Sequence, residues 1–164
     1  MTLAELNASD RAPFAAALEG VFEGSPWVAA RAWDRRPFSC LDQLQASMAA
    51  EVANATAGEQ LALLCAHPDL GSRVRMSDAS EGEQARAGLD RLNQDTVDRL
   101  QRLNAAYREK FGFPFLLAVR DRTADDVLAA LERRLGARRD VELVEALTQV
   151  YRIAGVRLND RIRS

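Results

Sequence analysis

Residues 97–115 read VDRLQRLNAAYREKFGFPF. Val97, Leu100, Leu103, Tyr107 and Phe111 recur at steps of three and four, the period of one helical face. Gly112 stops that helix, because glycine alone enters left-handed backbone at a helix end without a Cβ clash. Phe113 to Val119 stays apolar but loses the period, and Pro114 makes it an extended crossing segment. A long amphipathic helix with an apolar, non-helical strip after it sets the pattern for the chain.

The same helical period recurs upstream. Asp10 or Ser9 caps a helix carrying Phe14, Leu18 and Phe22. Ser25-Pro26 spells an N-cap followed by proline at the first helical position, opening a short segment with Trp27 and Trp33. Ser39 caps a helix with Leu41, Leu44, Met48 and Val52 on one stripe. Leu61 to Cys65 forms a short apolar helix that Pro68 ends near His67. Residues 69–79 are polar, contain Gly71 and make the longest loop. Ser80-Glu81-Gly82-Glu83 has the spelling of a capping box and opens a helix to about Asn93.

Downstream, Thr123 caps a helix ending at Gly136. Val141, Val144, Leu147, Tyr151, Ala154 and Leu158 mark the stripe of a long last helix. No repeat, low-complexity tract or linker interrupts the series. The expectation is an all-α, single-domain helical bundle over residues 1–164, with about seven to nine helices and one extended segment.

Composition narrows the function. The 164 residues are 48% hydrophobic and 28% charged, enough to build a core without a disulfide or metal staple, which excludes wholesale disorder. No apolar run approaches the roughly 18 to 20 residues of a bilayer span, so no membrane is expected as partner. The N-terminus lacks the basic-then-apolar order of a secretory signal, and the C-terminus carries no lipidation or peroxisomal signal. Basic and acidic residues number 22 and 24, net −2. They alternate along the chain, so no concentrated basic patch invites nucleic acid. Cys40 and Cys65 fit a reduced compartment better than a disulfide framework, and a cytoplasmic location follows as expectation.

Chemistry has few places to sit. His67 is the sole histidine, and imidazole is the side chain that titrates near neutrality. A lone histidine commonly packs or lies on the surface. This one stands at a helix end, before the longest polar loop, with Pro68 stiffening its backbone, and is equally a candidate for proton transfer. Ser80 and Glu83 have the spacing of a helix cap, while Gln84 has no capping duty and the same helix N-terminus offers N–H groups to an oxygen ligand. The backbone of Phe115, Leu116, Leu117, Ala118 and Val119 lacks helical partners, and a planar ligand with amide-like groups would pair with it. Arg157 lies in an apolar stretch. A surface position is the simple reading, whereas an inward guanidinium needs an anion or carbonyl. One histidine and two distant cysteines make no metal set, Cys65 and His67 diverge on a helix, and no glycine-rich phosphate loop occurs.

Taken in order, several segments resemble one family. They are Gly24-Ser25-Pro26-Trp27-Val28, Arg36-Pro37-Phe38, His67-Pro68-Asp69-Leu70, SEGEQARAGL at 80–89, Leu103-Asn104-Ala105-Ala106-Tyr107 with Phe111-Gly112-Phe113-Pro114-Phe115, and Arg157-Leu158. The family is OHCU decarboxylase, which converts 2-oxo-4-hydroxy-4-carboxy-5-ureidoimidazoline (OHCU) to (S)-allantoin in urate degradation. The resemblance implies an all-helical homodimer that needs no cofactor and takes a small ureidoimidazoline substrate. It implies His67 as the catalytic residue, to which Glu83 is added here as its orienting partner. It implies Pro68, Ser80, Glu83, Gln84, Phe115, Leu116, Leu117, Ala118, Val119 and Arg157 as substrate-binding positions. Two other readings stand beside it. One is a helical protein-binding module with an aromatic groove around Trp27, Phe113 and Phe115; the other is a hydrolase of a related ureido compound.

Overall fold

The computed structural model describes residues 1–70 and 94–164. These residues form eight α-helices and one 3₁₀ turn: α1 Leu3–Ala8, α2 Arg11–Ala17, α3 Pro26–Ala32 continued by the 3₁₀ turn Trp33–Arg35, α4 Leu41–Ala53, α5 Ala57–Cys65, α6 Gln94–Phe111, α7 Ala124–Leu135 and α8 Arg139–Arg161. The all-α expectation holds. Most of the expected loop over residues 69–79 and the whole of the helix expected from Ser80 to about Asn93 lie outside the described residues. The chain divides into two compact units, Met1–Ala66 with Val150–Ser164, and His67–Gln149.

In the first unit α3 packs on α4 and α2, burying Phe14, Val28, Ala32, Leu44, Met48 and Val52. Arg36-Pro37-Phe38 is a brace for this unit. The Arg36 guanidinium donates to the carbonyls of Asn7 and Ser9 at 2.7 and 2.8 Å and lies over the Trp33 ring. Asn7 and Phe38 exchange two hydrogen bonds of 2.9 Å. Gly24 has φ +56°, and a Cβ there would stand 3.0 Å from the Ala66 Cβ, so the glycine meets both a backbone and a space requirement.

In the second unit Tyr107, Phe111, Phe113 and Phe115 make an aromatic core with centroids 4.6 to 6.0 Å apart. Gly112, at φ +81°, turns the chain out of α6 into residues 114–119, which carry no helix. Thr123 caps α7 with a full capping box to Asp126, and Gly136 ends the helix. Helix α8 crosses the boundary: it gives Glu142, Ala146 and Leu147 to the second unit and Val150, Ala154 and Leu158 to the first.

Four expectations need correction. Helix α1, capped reciprocally by Thr2 and Glu5, was not anticipated. Helix α2 stops at Ala17 rather than reaching Phe22; Leu18 is its C-cap, and Gly20 at φ +78° starts the turns that bury Phe22 by another route. Cys40, not Ser39, occupies the N-cap of α4. Val141 and Val144 are 56% and 66% exposed, because the buried stripe of α8 runs through Glu142, Ala146, Val150, Ala154 and Leu158.

Candidate functional site

His67 is the first residue of the second unit and only 3% exposed. Proline at 68 disfavours helical backbone at His67, so the chain leaves α5 there. Two contacts hold the segment that follows. Asp69 receives Arg108 Nη1 on both carboxylate oxygens at 3.0 Å, and Leu70 is buried. Arg108 belongs to α6, whose preceding residue, Tyr107, packs edge-on against Phe115 at 5.3 Å. One helix thus supports both the His67–Leu70 segment and the start of the 115–119 segment.

That second segment is held from behind by buried polar side chains. Arg134 Nη1 donates to the Leu116 carbonyl at 2.6 Å. Its Nε donates to Glu142 Oε1 at 2.6 Å, and the Tyr107 hydroxyl donates to the same oxygen. Arg134, Glu142 and Tyr107 are 2%, 1% and 0% exposed. Burial, then the bond to Glu142, pushes the Tyr107 hydroxyl far above its ordinary range, so it stays a donor. Two residues on, the Ala118 N–H donates to Gln149 Oε1 at 3.0 Å, and Gln149 in turn donates to Glu145. Phe115 and Leu117 make no backbone hydrogen bond to another described residue.

In the first unit Arg157 points at a loop rather than at open solvent. Its Nη1 donates to the Gly20 carbonyl at 2.9 Å and pairs with Glu23 at 2.7 Å. The carbonyl and carboxylate that an inward arginine requires are therefore present. Gly20 and Glu23 also line a cavity of about 260 Å³ with Leu18, Ser25, Ala29 and Met48.

The pattern of the OHCU decarboxylase family matches residues 7–159. The chain belongs to the OHCU decarboxylase family. A protein of Haloferax volcanii named 2-oxo-4-hydroxy-4-carboxy-5-ureidoimidazoline decarboxylase is 47% identical over all of this chain and 98% of its own. The uric acid degradation bifunctional protein of Bacillus subtilis is 42% identical over 98% of this chain and 33% of its own. A crystal structure of an (S)-allantoin synthase superposes with TM-score 0.83 at 35% identity, covering 99% of this chain. The chain spans about half the length of that protein, 54%.

Of the positions expected for an OHCU decarboxylase, His67, Pro68 and Phe115 to Val119 fall in the second unit and Arg157 in the first. Ser80, Glu83 and Gln84 lie outside the described residues. Phe113 and Phe115 are 0% and 1% exposed, so their rings are core and line no surface groove for a partner helix. Arg108, Arg134, Glu142 and Gln149 were not anticipated. Arg134 and Glu142 do lie on helical stripes, with Val127 and Leu131 and with Ala146 and Val150, which is the signal that could have found them.

Proposed function

We propose that this protein decarboxylates OHCU to (S)-allantoin, the last step of urate degradation. The names carried by its relatives support the reaction, and the observation that carries the assignment of roles is the burial of the single imidazole, His67, on a braced segment. The substrate's ring carbon bears a hydroxyl and a carboxylate beside a carbon–nitrogen double bond. When the carbon–carboxylate bond breaks, carbon dioxide leaves and the electron pair moves toward that imine, which serves as the electron sink. The hydroxyl proton passes to that nitrogen as the hydroxyl becomes the new carbonyl, and the neighbouring carbon takes a second proton from one face. His67 is the proton shuttle at that carbon, with Glu83 orienting it or holding the ureido N–H groups. Pro68, Ser80, Gln84 and the backbone from Phe115 to Val119 read the remaining amide edges.

Arg157 faces a carbonyl oxygen where negative charge grows. Tight grip on the departing carboxylate would stabilise the ground state and slow the reaction. Its pairing with Glu23 supports that role, because the guanidinium charge is already partly compensated. The protein works as a homodimer in the cytoplasm. The apolar, exposed Val141 and Val144 support association, and the exposed Cys40 and Cys65, neither in a disulfide, support a reducing compartment.

The test generates the unstable substrate in place with urate oxidase and hydroxyisourate hydrolase and follows (S)-allantoin by circular dichroism. Wild type gives fast stereospecific product. A folded His67→Asn loses about two to four orders of magnitude in rate, the usual contribution of a positioned general acid or base. Slow racemic decay with wild type refutes the reaction, and full activity in His67→Asn refutes the role.

A further inference from the structure

At its far end this strip is held locally, the Nε and N–H of Arg122 donating to the carbonyls of Ala118 and Val119, but before Ala118 no local hydrogen bond among the described residues positions its backbone groups. Here two side chains from different helices do so. Arg134 of α7 takes the Leu116 carbonyl, and Gln149 of α8 takes the Ala118 N–H. Residues two apart along an extended chain present their N–H and C=O groups to one edge, and the intervening residues present theirs to the other. Leu116 and Ala118 stand two apart, so in an extended segment their two bonds share one edge.

Both holders are themselves fixed. Arg134 is locked by Glu142, which also accepts from Tyr107, and its guanidinium lies 4.6 Å from the Phe115 ring centre. Gln149 is 2% exposed and anchored to Glu145 at 3.0 Å. A buried arginine–glutamate pair costs several kcal/mol in desolvation, and replacement by apolar residues commonly leaves stability unchanged or improved. Stability alone thus gives weak grounds for placing an ion pair behind this strip.

We propose that Arg134 and Gln149 are positioning residues that grip this segment at Leu116 and Ala118 and thereby set the backbone groups of Phe115 and Leu117 and the N–H of Val119 for a flat ligand with amide-type edges. The inference rests on the reading above, in which this segment touches the substrate. Neither side chain is required to contact the ligand. What position 149 must supply is an acceptor for the Ala118 N–H and a donor to Glu145, so methionine, of similar length, does not serve, and glutamate serves only where Glu145 becomes glutamine and donates the bond back.

The experiment compares wild type, Gln149→Met and the double variant Glu145→Gln/Gln149→Glu in the coupled assay, with hydrogen exchange of the Ala118 amide read by NMR. Gln149→Met is expected to raise KM about tenfold, the usual scale of one lost hydrogen bond, with kcat changed less and faster exchange at Ala118. The double variant Glu145→Gln/Gln149→Glu, which keeps the acceptor and reverses the bond between the two side chains, is expected to restore KM to within about threefold of wild type and to slow that exchange again. Wild-type KM and kcat in a Gln149→Met protein whose Ala118 amide exchanges faster would overturn the proposal while leaving the reaction standing. Equal losses in Gln149→Met and in the double variant would overturn it too, since packing and not the acceptor would then matter. A wild type that fails to turn over OHCU refutes the reaction instead, and the positioning role is then judged by (S)-allantoin titration. Weaker binding to Gln149→Met than to wild type supports it, and equal binding or none to either overturns it.

Discussion

Tyr107 joins the aromatic core to the buried ion pair: its ring packs on Phe111 and Phe115, and its hydroxyl donates to Glu142. Burial first, and that bond second, raise its pKa above the ordinary value near 10. The folded state therefore holds the phenolic proton more tightly than the unfolded chain does. By linkage the stabilisation is fully present below about pH 10 and is lost as pH rises from there toward the folded value. Thermal midpoints measured from pH 8 to 11 should fall at the alkaline end in wild type. Tyr107→Phe should lose about 1–3 kcal/mol at pH 8 and show a shallower alkaline fall, with Tyr151, also raised by burial, supplying what slope remains. Parallel curves would show that the Tyr107 proton is not linked to folding. At this scale the site was half legible. His67 stood out because imidazole is rare here and proline follows it, and Arg157 because a charge interrupted an apolar stretch. Arg134, Glu142 and Gln149 did not stand out, because a charged or amide residue between helix positions usually reads as solvated surface. Their burial depends on where the 115–119 segment runs, which no local pattern encodes.

Helices begin here by a repeated device. Thr2 with Glu5, Thr56 with Glu59 and Thr123 with Asp126 each form a reciprocal capping box at α1, α5 and α7. The sequence displayed all three spellings, yet only Thr123 was read as a cap. The period that marks a helix needs more than two turns to show, and α1 has six residues. Helix α2 was overextended for the converse reason: Phe14, Leu18 and Phe22 keep the spacing, but Gly20 breaks the backbone that would join them. Long helices, α6 to α8, were legible nearly to their ends. The capping carboxylates lie below their ordinary range: Glu5 and Asp126 chiefly through backbone N–H bonds from Thr2 and Thr123, and Glu59 chiefly through Arg31, then Thr56. A depressed carboxyl pKa stabilises the fold above the unfolded value near 4 and loses that contribution as pH falls through the folded value. Thermal midpoints should therefore drop between about pH 5 and pH 3. Glu59→Gln should flatten part of that drop, and Thr56→Ala should cost about 1 kcal/mol at neutral pH. An unchanged acid limb in Glu59→Gln would show that this carboxylate is not linked to folding.

At the scale of the whole molecule the two compact units are expected to unfold as one cooperative domain. Helix α8 is the reason to expect it. Its 23 residues place Glu142 and Ala146 in the core of one unit and Ala154 and Leu158 in the core of the other. If the second unit melts, the first half of α8 loses its apolar partners and its terminal hydrogen bonds. The remaining stretch must then nucleate alone, which is costly for a helix of that length. The two tryptophans give a separate view of the first unit, since Trp27 and Trp33 both lie within it. Leu131 is 0% exposed in the second unit, and Leu131→Ala should cost about 2–5 kcal/mol by opening a cavity there. Cooperative behaviour predicts that tryptophan fluorescence and far-UV dichroism of Leu131→Ala shift to lower denaturant together, with coincident midpoints. A tryptophan midpoint that stays at the wild-type value while the dichroism splits into two steps would mean that α8 can fray from one unit and remain folded in the other. Residues 1–164 would then be two folding units that share a helix.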